Sequence, residues 1–338
     1  MPRISIVLAT YNRPQALAVA IRSVLWQTVE DWELLVIGDA CDAATGHLVE
    51  TFNDPRIRYV NLAERYGEQS GPNSVGMAVA RAPLIAFLNH DDVWLPDFLE
   101  RGLGMLERTG ADLYTGSAVF ATSRGLRLKP YRLTAISPPR RTVAASYCLP
   151  SSAYFEPISG WMARTEAARR VGPVRPAITL YRSPLDDWML RTARAGLGHI
   201  NDDAIVVLKD NSRPRIHRKR RYAEPRMAMI PEMRRMARLG ANGYRGWAEA
   251  EVRRNVDDAH AAPNVSHFEG AALTQADFAH YLETGEDRFD LQAAERGFER
   301  GWQLRRLSKV RTGSTLAAAP DLDDAISHAK NILDNEHA

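Results

Sequence analysis

Two pairs of adjacent carboxylates hold most of the chemistry this chain can do. One is Asp91-Asp92, in Phe87-Leu88-Asn89-His90-Asp91-Asp92; the other is Asp186-Asp187, in Ser183-Pro184-Leu185-Asp186-Asp187-Trp188. An ionised carboxylate is purely an acceptor, suited to taking up a proton or facing a cation. An isolated Asp-Asp is a polar turn or a helix start as readily as a site, so position has to separate the readings. The first pair follows the apolar run 84–88, bounded by Pro83, which reads as a buried strand. In parallel α/β sheets, ligands bind in the crevice beyond the carboxyl ends of the strands. The second pair follows Ser183, which with Asp186 fits a capping box, and Pro184 suits the first helical position. That gives Asp186 a structural task and leaves Asp187 without one. A third charged feature is the basic run 213–221, which contains His217. It reads as a solvated linker or as a patch drawn to anionic lipid.

These residues need a scaffold, and the first half of the chain supplies one. Residues 4–9 are a nearly continuous apolar run, as expected of a parallel strand covered on both faces. Thr10 or Asn12 can cap the next helix and Pro14 suits its first turn. Leu17, Ala20, Ile21, Val24 and Leu25 then recur at helical spacing. Residues 33–37 form a second strand ending at Gly38-Asp39, and this strand-helix-strand order predicts a parallel crossover. Strands are also expected at 57–62, 84–88 and 112–121. A flexible loop is expected at 67–71, a short helix at 73–81, and a helix from Pro96 closed by Gly110. Neither GxGxxG nor GxxxxGK[ST] follows the first strand, which counts against dehydrogenases and P-loop enzymes. In the second half, 129–150 is rich in Pro, Arg and Ser without periodicity and reads as a long loop, of a length that usually serves function. Residues 158–163 and 200–208 read as strands and 164–171 as a helix. Beyond residue 223 the pattern turns helical, with Met229, Met233, Met236 and Leu239, then Trp247, Val252 and Val256, then Phe278, Tyr281 and Leu282, then Phe298, Trp302, Leu304 and Leu307.

Composition narrows the classes further. The 338 residues are 45% hydrophobic and 25% charged, ordinary for a globular protein with ample material for a core. The net charge of +3 and the lack of a recognition motif argue against a nucleic-acid partner. Two cysteines, Cys41 and Cys148, are too few for a disulfide framework or a zinc site. No apolar run approaches the roughly 20 residues of a membrane-spanning helix, and the start of the chain lacks a leader pattern, so the expected location is cytoplasmic.

Taken in order, several segments resemble the family 2 glycosyltransferases of the GT-A fold. They are residues 6–14 (Ile-Val-Leu-Ala-Thr-Tyr-Asn-Arg-Pro), residues 33–39, Asn73 with Gly76 and Ala80, residues 85–92, and residues 160–164 with Val171-Gly172. The match in order and spacing runs over roughly the first 220 residues. The resemblance implies an α/β GT-A domain over 1–222, a mostly parallel sheet flanked by helices, with a helical C-terminal region at 223–338. Within the domain, 1–122 would bind the nucleotide-sugar and 123–222 the acceptor. It implies a metal-dependent inverting transferase of the hexosyltransferase type. Such an enzyme moves a sugar from a nucleoside-diphosphate sugar, UDP favoured, to a glycan or lipid-linked glycan. A lipid-linked acceptor would bring the chain to the inner face of a membrane.

The same resemblance assigns residues. Thr10, Tyr11, Asn12, Arg13, Asp39, Asn73, Asn89 and His90 would line the donor site, with Asp39 accepting the imide N–H of the base. Asn89 stands where the family's Asp-X-Asp motif has its first aspartate and brings no charge to a metal. Metal duty falls on Asp91 and Asp92 with His217 as third ligand, and Mn2+ or Mg2+ suits hard carboxylates beside phosphate oxygens. Asp187 stands at the family's base, with Asp186 as the alternative, and Trp161 and Trp188 would meet the acceptor. A nucleotide-sugar or glycan-binding protein without turnover is the other reading, motivated by Asn89.

Overall fold

In the computed structural model of the chain, the residues described are 1–122, 132–137, 143–148, 157–210, 229–255, 273–301 and 318–335. Ile4–Thr10 (β1) is buried along its whole length. Pro14–Leu25 (α1) starts on its proline and buries Leu17, Ala20, Ile21 and Val24. Trp32–Gly38 (β2) is again buried throughout. Strands covered on both faces lose their polar alternation, which is why both read as unbroken apolar runs. The chain continues through Ala43–Glu50 (α2), Ile57–Asn61 (β3), Ser70–Val79 (α3), Leu84–Asn89 (β4), Asp92–Trp94 (β5) and Phe98–Thr109 (α4). Gly110 closes α4 at φ 69°, the left-handed position that glycine fills at helix ends. Then come Leu113–Thr122 (β6), Arg132–Ser137 (β7), Val143–Cys148 (α5), Trp161–Arg164 (β8), Thr165–Val171 (α6), Pro184–Arg194 (α7) and His199–Asp210 (β9). The C-terminal helices are Met229–Arg254 (α8), Gln275–Thr284 (α9), Arg288–Glu295 (α10) and Leu322–Asn335 (α11).

All strands join one sheet in the order β3-β2-β1-β4-β8-β6-β9-β5, with β7 paired to β6. The pairs β3/β2, β2/β1 and β1/β4 are parallel. β8 enters antiparallel between β4 and β6. Alternate residues of β1 serve opposite faces. Val7 packs with Leu35, Ile37, Ile85 and Phe87, whereas Ile6 and Leu8 pack with Leu17, Ile21, Leu34, Val36 and Leu88. The result is the α/β arrangement expected of the sequence.

Two local expectations are corrected, and one helix is added to them. Residues 129–150 are not one loop: β7 and α5 lie within them. β7 owes its existence to pairing with β6, where Val119 sits opposite Ile136, and not to any periodicity of its own. The helix expected from residue 73 begins at Ser70, so Gly71 belongs to it and not to a loop. The helix α2 had no apolar stripe to announce it; Thr45 and Val49 are its buried residues.

The C-terminal helices pack on three different parts of the sheet and its helices. α8 breaks at Gly240 (φ 67°) and lays Met229, Met233, Met236 and Tyr244 against Val93, Val119, Leu133 and Leu208. α9 stacks Phe278 and Tyr281 on Tyr147 of α5, at 5.3 and 6.0 Å between ring centroids. α11 contributes Ala329 and Leu333 to the core beside α3.

Candidate active site

Strand register assembles the site. Thr10 at the end of β1 sits opposite Gly38 at the end of β2, and Ala9 opposite Asn89 at the end of β4. The residues that follow these three strands therefore emerge together at one edge of the sheet: Tyr11 to Arg13, Asp39, and Asn89 to Asp92. They are bound to one another. The Tyr11 N–H donates to His90 Nδ1 at 3.3 Å. Arg13 donates from Nη1 to Asp91 Oδ2 at 2.7 Å and lies 3.2 Å from His90 Nε2. Asn12 adopts φ 44°, and its Oδ1 accepts the Asp42 N–H at 2.8 Å, tying the turn after β1 to the one after β2.

The two aspartates of the first pair have separate tasks. Asp92 is fully buried and accepts two hydrogen bonds from Lys209 Nζ, at 2.8 and 3.1 Å. Its Oδ2 also accepts from Ser159 Oγ at 2.6 Å and Asn89 Nδ2 at 3.3 Å. A carboxylate with no solvent exposure and a lysine already in place does not fit a metal, which corrects the expectation for Asp92. Lys209 lies in β9; burial opposes its charge, but the carboxylates of Asp92, Asp91 and Asp210 outweigh it and keep it protonated. Burial likewise opposes ionisation of Asp91, but Lys209, His90 and Arg13 outweigh it and hold its carboxyl well below the usual range. Asp91 is partly exposed, and its Oδ1 takes no hydrogen bond from the described residues. One ionised carboxylate completed by diphosphate oxygens and water suits magnesium or manganese, so Asp91 fits that role. Among the described residues no cluster of three or more His, Cys, Asp or Glu could hold a metal by itself. His217 lies outside the described residues, as does the rest of the 213–221 run.

On the β2 side, Asp39 uses both oxygens on the loop before α3. Oδ1 accepts the Tyr66 N–H at 2.7 Å and Oδ2 the Gly67 N–H at 2.8 Å. Burial pushes its carboxyl up to about 6, against the pull of those two N–H groups and of Arg65. The Arg65 guanidinium lies 4.0 Å over the Tyr11 ring, a cation–π contact between the loop before α3 and the turn after β1. Thr10 Oγ1 is buried and has no partner among the described residues. Asn73 of α3 is 1% exposed, and its Nδ2 has no partner among the described residues.

The second acidic pair sits in the first turn of α7. Ser183 caps the helix as expected, accepting the Asp186 N–H at 3.2 Å, and its hydroxyl donates to Asp186 Oδ2 at 2.8 Å. Asp187 also has a structural task, contrary to expectation. It accepts from Arg191 Nε at 3.0 Å, one helical turn on, and from Arg175 Nη1 at 3.3 Å. Trp161 and Trp188 are each 1% exposed and stack at 5.7 Å, with the Trp188 indole N–H on the Gly172 carbonyl at 3.0 Å. Neither can present a face to an acceptor, so both are corrected to core residues.

Residues missed from the sequence are Lys209, Ser159 and Arg65. The one signal for Lys209 was a cation directly after the buried run 205–208. Ser159 carried none: it binds Asp92, the Asn89 N–H at 3.1 Å and, through its carbonyl, the Trp94 indole at 2.6 Å.

Residues 5–172 match the model of the family described as Glycosyl transferase family 2, and the chain belongs to that family. An Escherichia coli protein is 32% identical over 115 residues, which is 34% of this chain and 45% of that protein. It is named UDP-Glc:alpha-D-GlcNAc-diphosphoundecaprenol beta-1,3-glucosyltransferase WfgD. The succinoglycan biosynthesis protein ExoO of Rhizobium meliloti is 32% identical over 130 residues, 38% of this chain and 37% of that one. These matches span less than half the length of either relative. Among solved structures, S. aureus TarS 1-349 in complex with UDP-GlcNAc superposes with a TM-score of 0.52 at 13% identity. It covers 99% of this chain and 92% of that one, a likeness of fold.

Proposed function

We propose that this family 2 glycosyltransferase moves a sugar from a nucleoside-diphosphate sugar, with uridine favoured, to a hydroxyl of a glycan or lipid-linked glycan in bacterial glycan synthesis. The observation that carries the reading is the strand register. It sets Tyr11 to Arg13, Asp39 and Asn89 to Asp92 along one sheet edge, where α/β sheets bind their ligands. WfgD, by its name, uses UDP-glucose, and the TarS fold holds UDP-GlcNAc; both support a uridine donor here.

In the transfer, the acceptor hydroxyl loses its proton to a carboxylate as its oxygen bonds to the anomeric carbon. The bond from that carbon to the diphosphate breaks, and the nucleoside diphosphate leaves with the electron pair. Inversion follows from a single displacement. Asp91 would hold Mg2+ or Mn2+, which when bound offsets the charge of the leaving diphosphate. Arg13 and Lys209 orient the aspartates of that pair and add positive charge beside the leaving group. The proton acceptor is drawn from the α7 pair. Asp187 is the first choice by position, and Asp186 is the alternative because Asp187 is engaged by Arg175 and Arg191.

The test is a transfer assay with a panel of nucleotide sugars on Asp91→Asn, Asp186→Asn and Asp187→Asn. Loss of transfer in Asp91→Asn and in one α7 variant, with metal-dependent UDP binding lost only in the former, is the expected result. Full turnover in all three would overturn it. The engagement of Asp187 by two guanidiniums also favours a second reading, a nucleotide-sugar-binding protein without turnover. Calorimetric donor binding with no nucleotide release for any acceptor would identify that state.

A further inference from the structure

We infer that the C-terminal helix α11 braces the Asp39 loop, and that Tyr66 and His328 are positioning residues for whatever binds beside Asp39. The inference deepens the donor reading above and rests on it for the identity of the ligand. Two hydrogen-bond routes leave α11 and its entry, one ending on Asp39 and the other on Cys41 in the turn that follows it. In the first, the Tyr66 hydroxyl donates to the Asp321 carbonyl at 3.0 Å, while the Tyr66 N–H donates to Asp39 Oδ1 at 2.7 Å. In the second, His328 Nε2 lies 3.0 Å from the Asn61 carbonyl. A carbonyl only accepts, so the imidazole donates and its Nε2 carries the proton. The Asn61 side chain then clamps Cys41, accepting its N–H at 2.7 Å and donating to its carbonyl at 2.9 Å. Cys41 lies two residues past Asp39, beyond Ala40 at φ 52°, a conformation that alanine adopts only when its surroundings hold it there.

Packing makes the brace stiff. The Tyr66 ring lies over Gly71, where a Cβ would come within 2.2 Å of it, so only glycine allows the ring this seat. Ala329 and Leu333 are buried in the same core as Tyr66 and Val60, and Arg58 donates to the Leu333 carbonyl at the far end of the helix. The described hydrogen bonds of α11 and its entry thus meet β3 and the loop after it, which hold Asp39 and Cys41, and not the Asp91 pair. Its effect should therefore fall on nucleotide binding and not on bond breaking.

The experiment uses the full chain with Tyr66→Phe, His328→Ala and the double variant, plus His328→Gln, whose amide can still donate. Amide hydrogen exchange is read at Tyr66 and Gly67, UDP affinity by calorimetry, and transfer as separate kcat and KM. Each single loss should speed exchange at both amides and weaken UDP roughly three- to tenfold, the size expected for one hydrogen bond. The donor KM should rise in step, kcat should stay near the parent value, and His328→Gln should restore most of the loss. Unchanged exchange at Tyr66 and Gly67 would overturn the brace. Faster exchange with unchanged UDP affinity would overturn the positioning role. If the parent protein bound no UDP, the uridine reading would fail by itself and the exchange data would still decide the brace.

Discussion

Replacing Lys209 with methionine isolates the energetics of the site's buried pair. The change keeps the aliphatic stem but removes the ammonium that gives Asp92 two of its four hydrogen bonds. Asp92 has no solvent exposure and the Lys209 side chain only 14%, so water cannot replace the lost cation. Breaking one side of a buried ion pair costs about 3–5 kcal/mol. Ser159 and Asn89 still donate to Asp92, which places the expected loss near the lower end, about 3 kcal/mol. With an unfolding entropy of about 2.1 cal/mol/K per residue over 338 residues, that is a fall in Tm of about 4 °C. Urea unfolding of the parent, Lys209→Met, Asp92→Asn and the double variant gives the coupling directly. Asp92→Asn alone should cost less, because Asp91 still faces the lysine. The double variant should regain most of the loss, since no uncompensated charge stays buried. A loss under about 1 kcal/mol for Lys209→Met, or a double variant no better than the single, would refute the assignment of Lys209 as the counter-ion of Asp92.

Three further expectations follow. Glu68 accepts from the Ala177 N–H at 2.6 Å and Ser70 Oγ at 2.8 Å, and burial, against those bonds, pushes its carboxyl up to about 7 from 4.5. The native state then binds this proton more readily than the unfolded chain, so stability from this group is present below about 4.5 and is lost as pH rises through about 7. Glu68→Gln should flatten the stability–pH slope in that window, read by urea midpoints at several pH values. Gly76→Ala would put a Cβ 2.3 Å from Val7 Cγ1, costing about 1–3 kcal/mol by overpacking. Adding Val7→Ala should relieve the clash in thermal unfolding. Arg245 pairs with Asp97 at 2.6 and 2.8 Å and donates to the Ile205 carbonyl. Its replacement by alanine should loosen α8 by about 3 kcal/mol or more, seen as faster limited proteolysis within α8.

Much of the scaffold was legible because its information is local. β1, β2 and β4 are buried on both faces and announce themselves as apolar runs; Pro14, Gly110 and Ser183 punctuate helices in ways that need no knowledge of the rest of the fold. The placement of Asp91 and Asp39 followed from strand ends alone. What could not be read was set by pairings across long separations. Asp92 and Lys209 are 117 residues apart, and nothing near either one says that the carboxylate is spent. Trp161 and Trp188 are 27 positions apart and look like two aromatic platforms until their stacking hides both. β7 exists through β6, and the two arginines that occupy Asp187 lie 12 residues before it and 4 after, one of them on another segment.

Asn89 shows how one residue can mislead in sequence and become intelligible in structure. Against the family's Asp-X-Asp pattern it reads as a lost metal ligand. In place, its side-chain amide donates to Asp92 Oδ2, and its backbone N–H donates to the same Ser159 hydroxyl that supports Asp92. A carboxylate at 89 would face Asp92 at about that distance in a buried setting with Lys209 as the adjacent buried cation, and two like charges so close disfavour each other's ionisation. The amide instead supplies a donor and no charge. Asparagine at 89 is therefore consistent with a site whose positive charges are divided in advance, Lys209 to Asp92 and Arg13 to Asp91. In the proposed reading, that leaves Asp91 as the carboxylate of the pair to meet a donor diphosphate and its cation.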